Sequence, residues 1–413
     1  FSPEYGEVLG GLMNVTTRSG SNILAGDFSY IYTSSGLADN SEPTLLAQPT
    51  GYSNSAPEFN IGGPIVKDKL WYFASIDGTN LSNSYAAAEL PGLGTLPAGT
   101  EATSGYTGFA KLTTAITSNH NLAFNYTHQD ITTEGSGAST ATPEARQALD
   151  HTADRLRINY QGILSPKTVL ELKAGYSREQ NANHPSQSAD LAAWEVVSYG
   201  VTMHNAGYFG EGTTERIDLA GVLTQVWNPG GRLGTHEFKA GIEHHLPRSI
   251  SGGSTTGAAE DVIAIGQNPI AADYGLPDTF DGGNKVQVAA QSGPAGSILV
   301  PVGYAEYRNS GAVNVSQREW GLFVQDRWTL GRWALMYGLR ADSQESVNDV
   351  GTIFSQFEFK DTLAPRLSVA VDLTGKGKDI LKGAWGRFYD VNSFDFGAFA
   401  NSRGFFSLRT YQW

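Results

Sequence analysis

This chain contains many segments in which apolar and polar residues alternate. Tight turns and long polar connections join these segments alternately. In the segment 154–163, apolar side chains alternate with Arg157 and Asn159. After a short turn the alternation resumes, and Glu171 and Lys173 occupy polar positions. A period of two over about ten residues predicts a β-strand with one apolar face and one polar face.

The same strand–turn–strand pattern recurs along most of the chain. The predicted hairpins pair 59–66 with 70–80, 106–116 with 121–131, 154–163 with 170–176, 217–226 with 236–245, 319–328 with 333–342, and 363–373 with 380–390. Polar positions in these later strands include Glu237, Lys239, Arg340 and Asp342. With a strand that begins near Ile23, the pattern predicts about thirteen strands and the start of another.

The connections between the hairpins are long and rich in Gly, Ser, Thr, Asn and Ala. They cover 35–56, 84–104, 132–152, 181–213, 248–315, 346–360 and 391–404. Loops in compact soluble domains have a median length of about 4–6 residues. Short turns that alternate with long loops are typical of outer-membrane barrels, whose turns are periplasmic and whose loops are extracellular. The sequence therefore predicts an all-β protein, a transmembrane antiparallel β-barrel.

A soluble β-sandwich or a β-propeller is the alternative, because soluble sheets also alternate. Propellers repeat every 40–50 residues or so with a blade motif, which this sequence lacks. The polar positions hold charges of both signs, as a water-filled lumen does. Aromatic residues gather near strand ends and suit interfacial girdles: Trp71, Tyr72, Phe73, Trp227, Trp320, Trp328, Trp333, Trp385, Phe388 and Tyr389. These features favour the barrel.

Composition excludes several other classes of function. Lys and Arg number 28 against 41 Asp and Glu, so the net charge of −13 would repel nucleic acid, and we expect no such partner. The chain has no cysteine, which excludes a disulfide framework, thiol catalysis and Cys-ligated metals. Only 17% of residues are charged, fewer than the roughly 25% of an average soluble chain.

The residues also give little support for catalysis or metal binding. The adjacent His244 and His245 would point to opposite faces of a strand and cannot share one metal ion. The serine of Gly252-Gly253-Ser254 lacks the strand-to-helix context of a nucleophile elbow. Acidic residues in the longest loop could bind calcium, but without an EF-hand spacing a solvated loop is favoured: Glu260, Asp261, Asp273, Asp278 and Asp281. We therefore expect no enzyme activity, no cofactor and no metal site.

The run from Glu4 to Asn22 reads EYGEVLGGLMNVTTRSGSN. It closely resembles the end of the plug domain in TonB-dependent outer-membrane receptors, where a similar Gly-Gly run leads into the first barrel strand. The motif positions are Tyr5, Gly6, Gly10, Gly11, Asn14, Thr17 and Arg18. Later segments at 61–73, 320–328 and 386–390 are similar to the Oar-like subgroup of these receptors and occur in the family's order.

This resemblance implies a division of the chain. Residues 1–22 would be the C-terminal end of the plug domain, and residues 23–413 a partial outer-membrane β-barrel of about 13–14 strands from a probable 22. The chain starts at Phe1 without an initiator Met, so we expect a piece of a longer protein. A closed barrel of about fourteen strands is the less favoured alternative. The segment 405–413 resembles an aromatic C-terminal barrel signal, but we favour a chain cut where the next strand begins.

The resemblance also implies a function in the outer membrane of a Gram-negative bacterium. Extracellular loops, chiefly 181–213 and 248–315, would capture a ligand, and movement of the plug would pass it through the barrel. The implied partners are outer-membrane lipid, an unknown extracellular ligand, and TonB acting through the missing N-terminal part. The alternative is a structural or adhesion barrel without active transport. Uptake that depends on TonB would separate the two functions.

Overall fold

The structure, a computed structural model, describes most of the chain. The described residues are 2–6, 16–37, 49–90, 94–191, 193–196, 199–254, 263–264, 279–280, 285–293, 296–308, 313–389 and 407–412. Most of them lie in β-strands, with short 3-10 turns at Ser35–Leu37, Pro143–Ala145 and Gly231–Leu233. Within these ranges, no helix has the length and apolar character needed to cross a membrane.

One large antiparallel sheet contains fourteen strands. They are β1 (Ala25–Ser34), β2 (Pro49–Val66), β3 (Leu70–Tyr85), β4 (Gly99–Thr117), β5 (His120–Ser136), β6 (Gln147–Ser165), β7 (Thr168–Pro185), β8 (Phe209–Trp227), β9 (Thr235–Ser254), β10 (Val313–Leu330), β11 (Trp333–Asn348), β12 (Ile353–Phe357), β13 (Ala364–Asp372) and β14 (Ile380–Gly386). Each strand pairs with the next, except that both β12 and β13 pair with β11. Among the described strands, β1 and β14 do not pair, so the sheet is a partial barrel.

Shorter strands lie in the long connections. One five-stranded sheet runs in the order Val201–Met203, Ala193–Val196, Lys285–Gly293, Gly296–Arg308 and Ser407–Gln412. Two small antiparallel pairs join Ala88–Leu90 to Gly94–Leu96 and Ile263–Ala264 to Thr279–Phe280. Some of the long loops therefore have strand structure of their own.

All six predicted hairpins are present; the strands of the first five are longer than predicted, whereas those of the last, Ala364–Asp372 and Ile380–Gly386, are shorter than the predicted 363–373 and 380–390. Strands β2 to β11 have 16–20 residues each. The connection predicted over 181–213 shortens to 186–208, because β7 and β8 continue into it. These extensions carry polar side chains on both faces, so they give no alternation although cross-strand hydrogen bonds keep them extended. The predicted loop 391–404 lies outside the described residues.

The strand register gives the sheet two distinct faces, since directly paired residues point to the same side. The row Asn159, Lys173, Ala220, Glu243 and Asp342 shows this, because each member pairs with the next directly or through Gly321. All eight predicted polar positions lie on this side: Arg157, Asn159, Glu171, Lys173, Glu237, Lys239, Arg340 and Asp342. We call it the inner face, because residues 2–6 pack against it.

The opposite side, the outer face, is apolar and exposed. Its central side chains are 39–46% exposed: Phe124, Ile158, Leu172, Leu219, Ile242, Leu322, Leu339 and Leu367. A continuous apolar surface of this kind needs lipid to cover it. Trp227, Trp333 and Trp385 lie near its turn-side edge, as predicted for a girdle. Phe73 and Trp71, predicted for the same girdle, instead face inward, because they pair with Lys111 and Thr113 of the inner face. Phe73 lies beside Phe109 and is 7% exposed.

Candidate functional site

The N-terminal segment, residues 2–6, forms a turn against strands β9 to β13 of the inner face. The ammonium of Lys239 lies 3.1 Å from a carboxylate oxygen of Glu4. The hydroxyl of Ser2 donates to the side-chain oxygen of Gln325 over 2.5 Å. Pro3 is fully buried between them. The segment is therefore held by polar contacts at both ends and by one buried ring in the middle.

Arg340 lies at the centre of this contact, and its side chain is 3% exposed. Its guanidinium is 2.8 Å from a carboxylate oxygen of Glu243 and 2.7 Å from one of Asp342. The remaining Nη1 group donates to the carbonyl of Pro3 over 3.4 Å. Two carboxylates thus compensate one buried cation and orient it toward the N-terminal segment.

Arg366 holds the same segment by its backbone. Its Nη1 group donates to the carbonyls of Ser2 and Tyr5, at 2.7 and 2.5 Å. The guanidinium also lies 4.3 Å from the ring centre of Phe388, within range of a cation–π contact. Because carbonyls are the acceptors, this contact depends on the path of the segment and not on its side chains.

Gly6 shows why a motif glycine is needed at this position. A Cβ atom at Gly6 would lie 2.2 Å from Nη2 of Arg340, closer than any side chain tolerates. The adjacent Tyr5 is 38% exposed, and its backbone carbonyl accepts the hydrogen bond from Arg366. The motif residues Gly10, Gly11 and Asn14 lie outside the described part of the chain.

The last two motif residues contact the first strands of the sheet. The ammonium of Lys111 donates to the carbonyl and hydroxyl of Thr17, at 3.2 and 3.0 Å. Arg18 lies 3.4 Å from a carboxylate oxygen of Asp27 and 3.3 Å from the side-chain oxygen of Asn60. It also lies 5.5 Å from the ring centre of Phe73. Thr17 and Arg18, which lie shortly before β1, are therefore held against the inner face of the first strands.

The other predicted polar positions lie on the inner face in the same rows. Glu171 accepts a hydrogen bond from Gln161 over 3.4 Å. His245 shares this face and lies 2.6 Å from Asp218, whereas His244 points outward, as predicted from their adjacency. Among the described residues, no group of three His, Asp or Glu side chains is arranged to hold a metal ion.

Sequence reasoning missed Gln325 and Arg366, although both occupy polar positions of predicted strands. The alternation would have placed them on the same side as Lys239 and Arg340. Alternation gives the face of a side chain but not its partner. The contact of Arg366 with Ser2 joins residues 364 positions apart, which no local pattern indicates.

At the end of the barrel away from the short turns, three long connections pack into one unit, which we call the loop cap. It comprises the described parts of 86–98, 137–146 and 186–208. Leu90, Leu96 and Val201 form its buried core, each at most 3% exposed. Tyr85, Ala88, Trp194, Tyr199 and Met203 pack around that core. An apolar core of its own gives the loop cap a defined shape.

Backbone hydrogen bonds join the connections of the loop cap. The amide of Thr142 donates to the carbonyl of Thr202 over 3.0 Å, and the amide of Thr202 donates to the carbonyl of Thr140 over 2.9 Å. The side-chain amide of Asn205, a fully buried residue, donates to the carbonyls of Ser188 and Leu191, at 2.7 and 2.8 Å. The loop cap is therefore held by contacts between loops as well as within them.

His204 lies at the edge of the loop cap in a left-handed backbone conformation, with φ of 68°. Its ring stacks on Trp194, with ring centres 3.8 Å apart and 14° between the planes. Loss of solvation lowers the pKa of His204, although nearby Glu144 opposes the shift. Burial alone would raise the pKa of Glu144, but backbone hydrogen bonds and the charge of nearby His204 outweigh it, so that the pKa is lowered from its usual value.

The sequence of the chain matches a known family and a known transporter. Residues 88–362 match the family described as an outer membrane beta barrel domain, so the chain belongs to that family. It is 24% identical over 94% of its length to the TonB-dependent transporter Oar of Myxococcus xanthus, of which it covers 43%. The resemblance to TonB-dependent receptors of the Oar-like kind is thereby confirmed, as are the all-β barrel fold and a location in the Gram-negative outer membrane.

Solved structures show the same fold. The chain superimposes on the outer membrane transporter YddB from Escherichia coli with a TM-score of 0.66, at 12% identity, over 100% of this chain and 49% of that one. The siderophore receptor PirA from Acinetobacter baumannii gives a TM-score of 0.55 at 15% identity, over 95% and 47%. The chain thus spans about half the length of the relatives that it matches.

Proposed function

We propose that the whole protein is a TonB-dependent transporter whose extracellular loops capture a ligand that plug movement then releases into the barrel. In this proposal residues 1–22 are the end of the plug and residues 23–413 are barrel. The observation that carries the proposal is the set of polar contacts between residues 2–6 and the inner face. The relative Oar is a TonB-dependent transporter by name, which supports the same activity here.

The nature of those contacts suits a movable segment. Lys239, Arg340 and Arg366 hold residues 2–6 through ion pairs and hydrogen bonds. Water can replace such partners at a modest cost in free energy, whereas opening an apolar core exposes area to water. The segment can therefore leave the inner face while the cross-strand ladders of the barrel stay intact.

The loop cap supports the other half of the proposal. It contains 186–208, the part of the predicted ligand-binding loop 181–213 that lies between β7 and β8. The second predicted loop, 248–315, contributes Lys285–Gly293, which pairs in parallel with Ala193–Val196. We propose that this assembly forms the ligand-binding surface. The transport needs no covalent step, in keeping with relatives that are named as transporters and receptors.

The test uses the absence of cysteines from this chain, with any cysteine elsewhere in the full-length protein replaced by serine. Pro3→Cys in that full-length protein would place one thiol at a fully buried position between residues 2–6 and the inner face. We expect a membrane-impermeant maleimide to label it several-fold faster in cells with intact TonB than in cells that lack TonB. Glu89→Cys, exposed on the loop cap, is the matched control and should label equally in both.

The outcome separates transport from adhesion. A structural or adhesion barrel has no need to move residues 2–6, so equal labelling of Pro3→Cys with and without TonB would contradict the proposal. A difference that also appears at Glu89→Cys would report a general change in the cells and would not support it.

A further inference from the structure

The outer face contains one buried carboxylate near its turn-side edge. Asp326 in β10 is 3% exposed. One of its oxygens, Oδ2, accepts hydrogen bonds from the Tyr337 hydroxyl and from Nδ1 of His236, each over 2.7 Å. The other oxygen, Oδ1, is buried and has no hydrogen-bond partner among the described residues. Leaving a carboxylate oxygen in this state is costly unless a ligand supplies a donor.

The register places this carboxylate toward lipid. Asp326 pairs with Phe238 and Tyr337, both of which point outward. It lies four residues before Leu330, where β10 ends at a short turn. Because short turns are periplasmic in these barrels, the carboxylate lies at the boundary of the periplasmic leaflet.

A groove of about 560 Å³ runs along the outer face beside Asp326. Its outward-pointing apolar walls are Phe238, Val324, Tyr337, Leu339, Leu367 and Trp385. Such a surface suits an acyl chain, while the carboxylate at its edge suits a cationic donor. The combination matches a lipid whose headgroup carries an ammonium group.

We propose that this groove binds one aminophospholipid of the periplasmic leaflet. Its ammonium group, which has three N–H donors, would donate to Oδ1 of Asp326, and an acyl chain would lie along Phe238 and Leu367. An anionic headgroup such as phosphatidylglycerol would bring a phosphate toward the carboxylate without an ammonium to compensate it. The preference is therefore for the amine-bearing lipid.

A second trio on the outer face provides a matched control. The Tyr126 hydroxyl and Nδ1 of His128 lie 2.5 and 2.9 Å from one oxygen of Asp154. The residue types are the same as around Asp326, but this trio lies toward the extracellular end and the Asp154 side chain is 43% exposed. Water can satisfy its free oxygen, so Asp154 has no need of a lipid amine.

The test is native mass spectrometry of the purified full-length protein with phosphatidylethanolamine and phosphatidylglycerol of identical acyl chains. We expect one phosphatidylethanolamine to be retained with a preference of at least about tenfold, the range set by one charge-assisted hydrogen bond. Asp326→Asn should remove that preference, whereas Asp154→Asn should leave it unchanged. Leu367→Trp, which fills the groove and keeps the carboxylate, should reduce retention of both lipids.

Three results would overturn the proposal. The first is equal retention of the two lipids by the unaltered protein. The second is an unchanged preference in a folded Asp326→Asn protein or, if that variant does not fold, unchanged retention in Leu367→Trp. The third is that the purified protein carries a second copy of the chain or another protein in place of the lipid, since a protein would then cover the groove.

Discussion

The imidazole of His244 stacks on the indole of Trp320 across strands β9 and β10, with ring centres 3.7 Å apart and 17° between the planes. Eight residues away on each strand, His236 stacks on Trp328 at 5.6 Å and 6°. Eight residues span about 27 Å along a strand, or about 20 Å across a membrane at the usual tilt. We infer that the two ring pairs mark the two edges of the lipid-covered band.

This inference predicts the depth of the tryptophans. The fluorescence of Trp320 is the difference between the unaltered protein and Trp320→Phe, and that of Trp328 is obtained in the same way from Trp328→Phe. In vesicles of brominated lipids, both signals should be quenched most by bromines near the headgroups. A tryptophan introduced by Val324→Trp, midway between the two on the outer face, should be quenched most by bromines deep in the acyl chains. Equal quenching depth for Trp320 and the new tryptophan would contradict the assignment.

The buried cation of the inner face predicts a large loss of stability. In Arg340→Met, the carboxylates of Glu243 and Asp342 lose the cation that lies within 2.8 Å of both. Removing one partner from a buried ion pair costs about 3–5 kcal/mol. We expect a decrease of that size in the free energy of unfolding of the full-length protein, measured by urea titration in lipid vesicles.

Arg318→Met is the control for that measurement. Arg318 is 3.5 Å from Glu345 on the same pair of strands, but its side chain is 62% exposed. Exposed pairs contribute about 0–1 kcal/mol. A loss in Arg340→Met no larger than in Arg318→Met would show that burial does not matter at this site.

The pair of Glu4 and Lys239 predicts a charge-reversal effect on residues 2–6. Lys239→Glu places two carboxylates together and should increase labelling of Pro3→Cys, whereas adding Glu4→Lys should reverse the increase. We expect a coupling free energy of about 1 kcal/mol between the two positions, from the labelling rates of the single and double variants. Additive effects would mean that the 3.1 Å contact does not hold the segment.

The loop cap should open as the pH falls. The pKa of His204 is lowered in the closed cap, so as the pH falls the open form of the cap binds a proton more readily than the closed form. The closed cap is therefore most stable above pH 6.5, the usual pKa of histidine, and loses stability as the pH falls below that value. The lowered pKa of Glu144 adds a similar loss below pH 4.5. Hydrogen exchange of residues 199–206, corrected for the intrinsic pH dependence, should show faster opening at pH 5 than at pH 7.5.

His204→Asn is the matched variant, because asparagine tolerates the left-handed backbone at this position. It should remove most of the change in opening between pH 7.5 and pH 5. Unchanged acid sensitivity in this variant would assign the effect to another group.

A glycine on the inner face predicts a steric effect. A Cβ atom at Gly241 would lie 2.2 Å from a ring carbon of Phe323, which is 5% exposed. Gly241→Val should therefore lower the free energy of unfolding by about 1–3 kcal/mol, the usual cost of overpacking. In a Phe323→Ala background the same substitution should cost less, and an equal cost in both backgrounds would contradict this explanation.

Much of the barrel could be predicted from sequence because alternation reports directly which face of a strand a side chain occupies. Arg157, Glu171 and Arg340 were placed on one side by that rule alone. Partners could not be predicted, since the contact between Arg366 and Ser2 depends on how the whole sheet curves around the N-terminal segment. Leu96 and Val201 gave no signal, because single apolar residues in a polar connection have no period.

The loop cap also restricts how its loops can change. Leu90 and Leu96 come from one connection and Val201 from another, yet they share one core. A loop exchanged alone with that of a relative would leave the remaining apolar residues without partners, at a cost that grows with the cavity left behind. The connections of this cap must therefore diverge together, as one unit that shares a single core.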